Sequence, residues 1–336
     1  MSATAVATEV LLDVEDLRVT FPSPVGPAEC VRGASLQVRS GEILALVGES
    51  GSGKSLTAKS LLRLVDAPGV VEAARLRFAG EDLLGLDEGA MRRLRGGRIG
   101  MVFQDPMSSL NPVFTVGRQI AQVVRSHQDV SKAAARERAA ELLGLVGIPS
   151  PQEQLDRYPH ELSGGMRQRV MIAMAISCSP ALLVADEPTT ALDVTIQAQI
   201  LELIVGMRDR LGMSVILITH DLGVVARVAD RVAVMYAGRV VETGDTPTVF
   251  GTPLHPYTRA LLRAVPRLRD DGTTALRALE GAPPEATERP PGCAFVPRCD
   301  RAMDVCSGAV PPLEEHGGPG HAAACFAAAR DAEAGA

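Results

Sequence analysis

The chain contains no tryptophan, and only seven Phe and three Tyr occur among its 336 residues. Stacking platforms for unpaired bases are therefore scarce. A basic excess is missing too: 34 Lys and Arg stand against 40 Asp and Glu, a formal charge of -6. That excludes an electrostatic footprint for DNA or RNA, so any bound anion must be held locally. No apolar run approaches the roughly 18 residues of a membrane span. The longest, VMIAMAIS (170–177) and SVILIT (214–219), have the length of buried helices or strands. The opening MSATAVATEVLLDVEDL lacks a basic start, and Glu9, Asp13, Glu15 and Asp16 interrupt its apolar residues, so no signal peptide is expected. These absences predict a soluble, cytosolic chain. Cysteines number six, four of them near the end at Cys293, Cys299, Cys306 and Cys325. In a reducing compartment such a cluster points to ligands rather than disulfides.

What is present has the balance of a globular protein, with 46% hydrophobic and 22% charged residues. The length suggests about two structural units. Residues 10–47 read as short strands ending in the apolar run EILALVG. SKAAARERAAELLGLVG (131–147) has helical spacing, with Ser131 as N-cap and Gly147 as stop. A second helix is predicted from Gly164 to about Ser177, with Met166, Met171 and Met174 in its packing face. ALLVADE (181–187) and SVILIT are short apolar strands of the kind found in a parallel sheet covered on both faces. The class is α/β. Composition changes near residue 250, where a small appended unit begins, and the Ala-rich end at 327–336 reads as a flexible tail.

Two stretches carry chemistry. GESGSGKS, Gly48 to Ser55, fits G-x-x-x-x-G-K-[ST] between an apolar strand and a helix-like segment. Gly48, Ser50, Gly51 and Gly53 let backbone N–H groups cradle phosphate oxygens, Lys54 would reach the β and γ phosphates, and Ser55 would ligate Mg²⁺. ALLVADE delivers Asp186 and Glu187 to a strand's carboxyl end, where open α/β sheets bind nucleotides. Asp186 is the expected Mg²⁺ partner, and Glu187 is placed to polarise an attacking water.

LSGGMRQR (162–169) resembles the signature sequence of ATP-binding cassette (ABC) ATPases, with Met166 where Gln is common. Gln104 after IGMVF resembles that family's Q-loop, ALD (191–193) its D-loop and His220 its switch histidine. The resemblance implies a P-loop cassette: a RecA-like core over residues 10–250 with a helical subdomain at about 105–162. It implies catalytic roles for Glu187, His220 and Gln104, with Gln104 also sensing the metal. Ser163, Gly164 and Gly165 are implied to contact ATP held by another subunit, and Asp193 of the D-loop to belong to the nucleotide site; Phe21 is a candidate either for stacking on adenine or for packing in the core.

FQDPMSSLNPVFTVGRQI (103–120), YPHELSGGMRQR (158–169) and HPYTRALL (255–262) resemble the ATPase subunits of oligopeptide, dipeptide and nickel importers. The last marks a C-terminal extension, here 251–326. That likeness implies an ATPase that drives two permeases by closing around ATP together with a second ATPase, a sister subunit forming a heterodimer. An extracytoplasmic substrate-binding protein would act indirectly, and the site of action would be the cytoplasmic face of the membrane. The other reading is a soluble regulatory or repair ATPase without permeases.

The four clustered cysteines are separated by five, six and eighteen residues. Zinc sites favour tight C-x₂₋₄-C pairs, so this spacing suits zinc poorly. Four thiolates could instead ligate a [4Fe–4S] cluster. CAFVPRC with two later cysteines resembles the cluster-binding pattern of some importer ATPases, which implies [4Fe–4S]; zinc and unligated thiols remain open.

Overall fold

The computed structural model describes residues 9–190, 192–264 and 279–335; Ala191, first of the ALD triplet, and Ala336 lie outside them. The strands are β1 (Val10–Phe21), β2 (Ala28–Arg39), β3 (Ile43–Val47), β4 (Val70–Glu72), β5 (Arg75–Phe78), β6 (Glu81–Asp82) and β7 (Ile99–Val102). They continue with β8 (Leu182–Asp186), β9 (Ser214–Thr219), β10 (Arg231–Tyr236), β11 (Arg239–Asp245), β12 (Glu314–Glu315) and β13 (Ala322–Ala323). The described residues divide into two compact units, one of 9–38, 43–83, 219–264 and 279–335, the other of 39–42, 84–190 and 192–218.

In the first unit, β2-β1-β5-β6 are successive neighbours in one layer, β5 running antiparallel to β1 and β6, and β4 adds antiparallel on β1. Along β1 the buried face shifts from Leu12 and Val14 to Leu17 and Val19. The left-handed backbone of Asp16, φ 51, lies at that shift, as one extra residue in an alternating strand requires. β3 is buried at every position and pairs in parallel with β10, which β11 then follows antiparallel. β13 adds to β11, and β12 to β13.

In the second unit β9, β8 and β7 run parallel. All residues of β8 and β9 are buried, which explains their unbroken apolar sequences. Helices Val116–His127, Lys132–Leu145 and Gly164–Ala175 pack on one another through Ile120, Val124, Ala139, Leu142 and Val170. Ser131 caps Lys132–Leu145, its hydroxyl accepting from the Ala134 N–H at 3.1 Å, as its sequence predicts. In Gly164–Ala175 Met171 is buried, while Met166 and Met174 are half-buried.

The predicted flexible tail is corrected by the structure. Phe326–Gly335 is helical, and its Ala327 and Ala328 are buried. Alanine favours helix strongly, and a docked apolar face supplies what an isolated short helix lacks.

Candidate active site

The phosphate loop starts where β3 leaves the core. Gly48 has φ 153, and a Cβ there would stand 2.2 Å from the Met235 carbonyl oxygen. Gly53, φ 99, opens the helix Lys54–Leu61, and a Cβ on it would stand 2.7 Å from the Cys30 carbonyl oxygen. Only glycine fits these two turns. The Lys54 ammonium folds into the loop, donating to the carbonyls of Gly48 at 2.9 Å and Glu49 at 2.8 Å and to the Ser52 hydroxyl at 3.3 Å. A buried cation beneath turned-in amides at a helix N-terminus suits a polyphosphate. Ser50 and Gly51 are exposed at the tip and Ser55 lies in the first helical turn. His220, also exposed, follows β9; Asp221 next to it caps the helix Leu222–Val228 by accepting from the Gly223 and Val224 N–H groups. Phe21 ends β1 half-buried, its ring so close over Gly69 that a Cβ there would meet it at 2.6 Å.

In the second unit, β8 carries Asp186 to its end, 3% exposed. Glu187 follows with a left-handed φ of 45, uncommon for a residue with a long side chain. Its N–H donates to the Ile218 carbonyl at 3.0 Å. Its carboxylate accepts from the Gln104 amide at 2.9 Å and the Thr190 hydroxyl at 2.8 Å. Two residues with implied catalytic roles are thus in direct contact, although 83 positions apart. Ser163 caps the helix Gly164–Ala175 through the Met166 N–H at 3.3 Å, leaving Gly164 exposed at the start of that helix. Gly165 faces Ile196, which a Cβ would meet at 2.9 Å. Asp193 caps Val194–Leu211, accepting from the Ile196 N–H at 2.9 Å.

The sequence reading missed a set of residues in the first unit that prop the loop from behind. The Glu49 N–H donates to the Tyr257 hydroxyl at 2.9 Å, and its carboxylate receives both terminal nitrogens of Arg298 at 2.9 and 3.0 Å. Tyr236, Tyr257 and Phe295 form one aromatic cluster, with ring centres 4.6, 5.2 and 5.5 Å apart. Burial raises the phenol pKa values of both tyrosines. His255 caps Pro256–Arg263, its Nδ1 accepting from the Tyr257 N–H at 3.0 Å, and burial lowers its pKa to about 4. It is therefore neutral, with the remaining proton on Nε2. The only signals for this set were the HPYT stretch and an arginine between two cysteines.

Comparison with known proteins now bears on this geometry. A family model described as ABC transporter matches residues 31–190, and one described as oligopeptide/dipeptide transporter, C-terminal region, matches 241–306. A probable peptide ABC transporter ATP-binding protein of Sinorhizobium fredii, y4tR, is 53% identical over 319 residues, covering 95% of each chain. This chain belongs to the ATP-binding proteins of peptide ABC transporters. OppD of Bacillus subtilis, an oligopeptide transport ATP-binding protein, is 52% identical over 304 residues, 90% of this chain and 85% of that one. Among solved structures, the dimeric ATP-binding cassette MJ0796 with ADP and phosphate aligns with TM-score 0.63 at 25% identity, covering 70% of this chain and 98% of the other. The fold is that of an ABC ATPase cassette, of mixed α/β sheets.

The match to the transporter C-terminal region includes three of the clustered cysteines. Cys293, Cys299, Cys306 and Cys325 line one small cavity with Val296, Pro311 and Phe326. None forms a disulfide. The Cys293 thiol is pushed up to about 11, first by burial and then by the other three sulfurs. Cys299 is shifted upward as well, again chiefly by burial. The described residues contain no group of three or more His, Cys, Asp or Glu side chains arranged to hold a metal ion. Four cysteines distant in sequence thus line one cavity.

Proposed function

We propose that the chain is the ATP-hydrolysing subunit of a peptide-class ABC importer. The observation that carries this reading is the hydrogen bond between Gln104 and Glu187 at the end of a buried strand, in a chain about half identical to peptide-transport ATPases. Backbone amides of Gly48, Ser50, Gly51 and Gly53, with Lys54, grip the β and γ phosphates of ATP. Ser55, Gln104 and Asp186 would hold Mg²⁺, whose charge would offset that of the phosphate oxygens. Glu187 takes a proton from water as its oxygen attacks the γ-phosphorus, and ADP leaves with the electrons of the broken P–O bond. His220 stabilises charge on the transferred group, and Phe21 faces adenine. Ser163, Gly164, Gly165 and Asp193 serve ATP bound by a second ATPase, a sister subunit.

The cassette is assigned to 10–250 with a helical subdomain at 105–162, and the extension to 251–326. Two permeases are the membrane partners, and the chain sits peripherally on the cytoplasmic face. Among the described residues no helix is long and apolar enough to cross a membrane, in keeping with recruitment by partners. Phe103, Met107 and Val113, in the segment around and after Gln104, are exposed, and the buried Gln119 amide fastens that segment through Asn111 and Phe114. Exposed apolar side chains of this kind suit a permease helix. The substrate-binding protein acts from the far side of the membrane.

The four cysteines are proposed to hold a [4Fe–4S] cluster, with zinc as the alternative. Support comes from the donor chemistry: four sulfurs around one cavity with apolar walls. Such a cluster would serve the extension's fold. Iron and acid-labile sulfide in anaerobically purified protein, lost in Cys299→Ser, would bear this out; zinc in their place selects the alternative.

The main reading is tested in vesicles holding the chain, its sister ATPase and the permeases. Phosphate release should rise when substrate-loaded binding protein is added. Release equal to that of a Glu187→Gln control, with or without permeases, sinks the proposal.

A further inference from the structure

We infer that Arg298 is a positioning residue for the phosphate loop, through which the cysteine-bearing extension sets the affinity for nucleotide. The inference rests on the ATP reading above and adds a residue that no motif of that reading contains. Arg298 lies in the short turn Val296–Arg298, directly before Cys299 and five residues after Cys293. Its side chain is 4% exposed. The guanidinium donors are engaged along one line: Nε to the Glu280 carbonyl at 3.0 Å, Nη2 to the Leu279 carbonyl at 3.3 Å, Nη1 to the Tyr236 hydroxyl at 3.3 Å, and both Nη atoms to the Glu49 carboxylate.

Glu49 is the second residue of the loop itself. Its carboxylate is held by Arg298, its N–H by Tyr257, and its carbonyl accepts from the Lys54 ammonium at 2.8 Å. A two-pronged guanidinium–carboxylate pair fixes orientation as well as distance. The peptide plane that presents the Glu49 carbonyl to Lys54 is thereby set from the extension, 249 positions away. A partly buried ion pair of this kind contributes little net stability compared with an apolar replacement. Its effect is on geometry, and the geometry here is that of the phosphate-gripping lysine. Cys293 and Cys299 flank the same turn, so displacement of their sulfurs displaces the guanidinium.

The full chain would be titrated with adenylyl imidodiphosphate and Mg²⁺, and ATP turnover measured in parallel. In Arg298→Gln the dissociation constant should rise about tenfold, with turnover at saturating ATP within about twofold of wild type. Arg298→Lys, which keeps charge but loses the fork, should recover only part. Glu49→Gln should weaken binding similarly, and the double variant should be no weaker than either single one, since both remove one interaction. Equal affinity in wild type and Arg298→Gln, or additive losses in the double variant, overturns the inference. If Arg298→Gln does not fold, Tyr257→Phe decides. It removes only the acceptor for the Glu49 N–H, and should raise the dissociation constant about threefold; an unchanged constant counts against the inference. Absence of binding by wild type would overturn the ATP reading itself, and the inference with it.

Discussion

The phosphate loop and the end of β8 are organised by different means. The loop is shaped by backbone: glycines at Gly48 and Gly53 admit turns that any Cβ would block, and Lys54 closes onto main-chain carbonyls. Its outer side is braced by buried groups of the extension. At the end of β8 the geometry depends on side chains: Glu187 stands on a left-handed residue and is oriented by Gln104 and Thr190. Rigid main chain suits a charge distribution that is the same in every cycle. Side-chain hydrogen bonds would suit the role proposed for Glu187, that of a group exchanging partners as water and metal arrive.

That contrast predicts separable defects. The largest is expected in Glu187→Gln, where turnover should fall on the order of 10²–10⁴-fold. ATP affinity should stay within about twofold, since the loop is untouched. Parallel loss of binding and turnover would show that the two regions do not divide the work. Next is a pH effect confined to the loop's brace. His255 has its folded-state pKa depressed by burial from 6.5 to about 4. The unfolded chain therefore binds more protons between those values, so the stability from neutral His255 is complete above pH 6.5 and is lost as pH falls towards 4. The loss is on the order of 3 kcal/mol. Thermal unfolding followed from pH 7 to 4 measures it, and in His255→Asn, which cannot titrate, the acid limb should flatten. The smallest effect is expected in Thr190→Val, which removes one donor to Glu187 and should lower turnover about threefold to tenfold with little change in affinity.

Much of this was legible in contiguous residues. EILALV followed by GESGSGKS gives strand, loop and helix in one stretch, and the local steric rules that make it readable are those the structure obeys at Gly48 and Gly53. Ser131 as a cap, and the fully buried β8 and β9, were likewise local. The role of Gln104 followed from family resemblance, but its contact with Glu187 was not foreseen, since no rule of spacing joins residues so far apart. The brace could not be read at all. Arg298 meets Glu49 only because the aromatic cluster of Tyr236, Tyr257 and Phe295 seats the extension there, a tertiary event with no periodic trace. Alanine-rich composition does not reveal the surface on which Phe326–Gly335 docks. The four cysteines are adjacent in the fold through similarly distant packing, and their shared cavity became visible only in three dimensions.

The pairing of β13 with β11 has a practical side. Ala322 and Ala323 lie along β11, and the Ala324 N–H continues the contact to the Val241 carbonyl at 2.8 Å. The hydrogen-bonding margin of β11 is thus occupied by the protein's own C-terminal residues. Clipping or engineering that detaches them would bare a row of amides and carbonyls able to recruit strands from neighbouring molecules. Aggregation in preparations trimmed at this end would then reflect an uncovered seam, with the catalytic machinery intact.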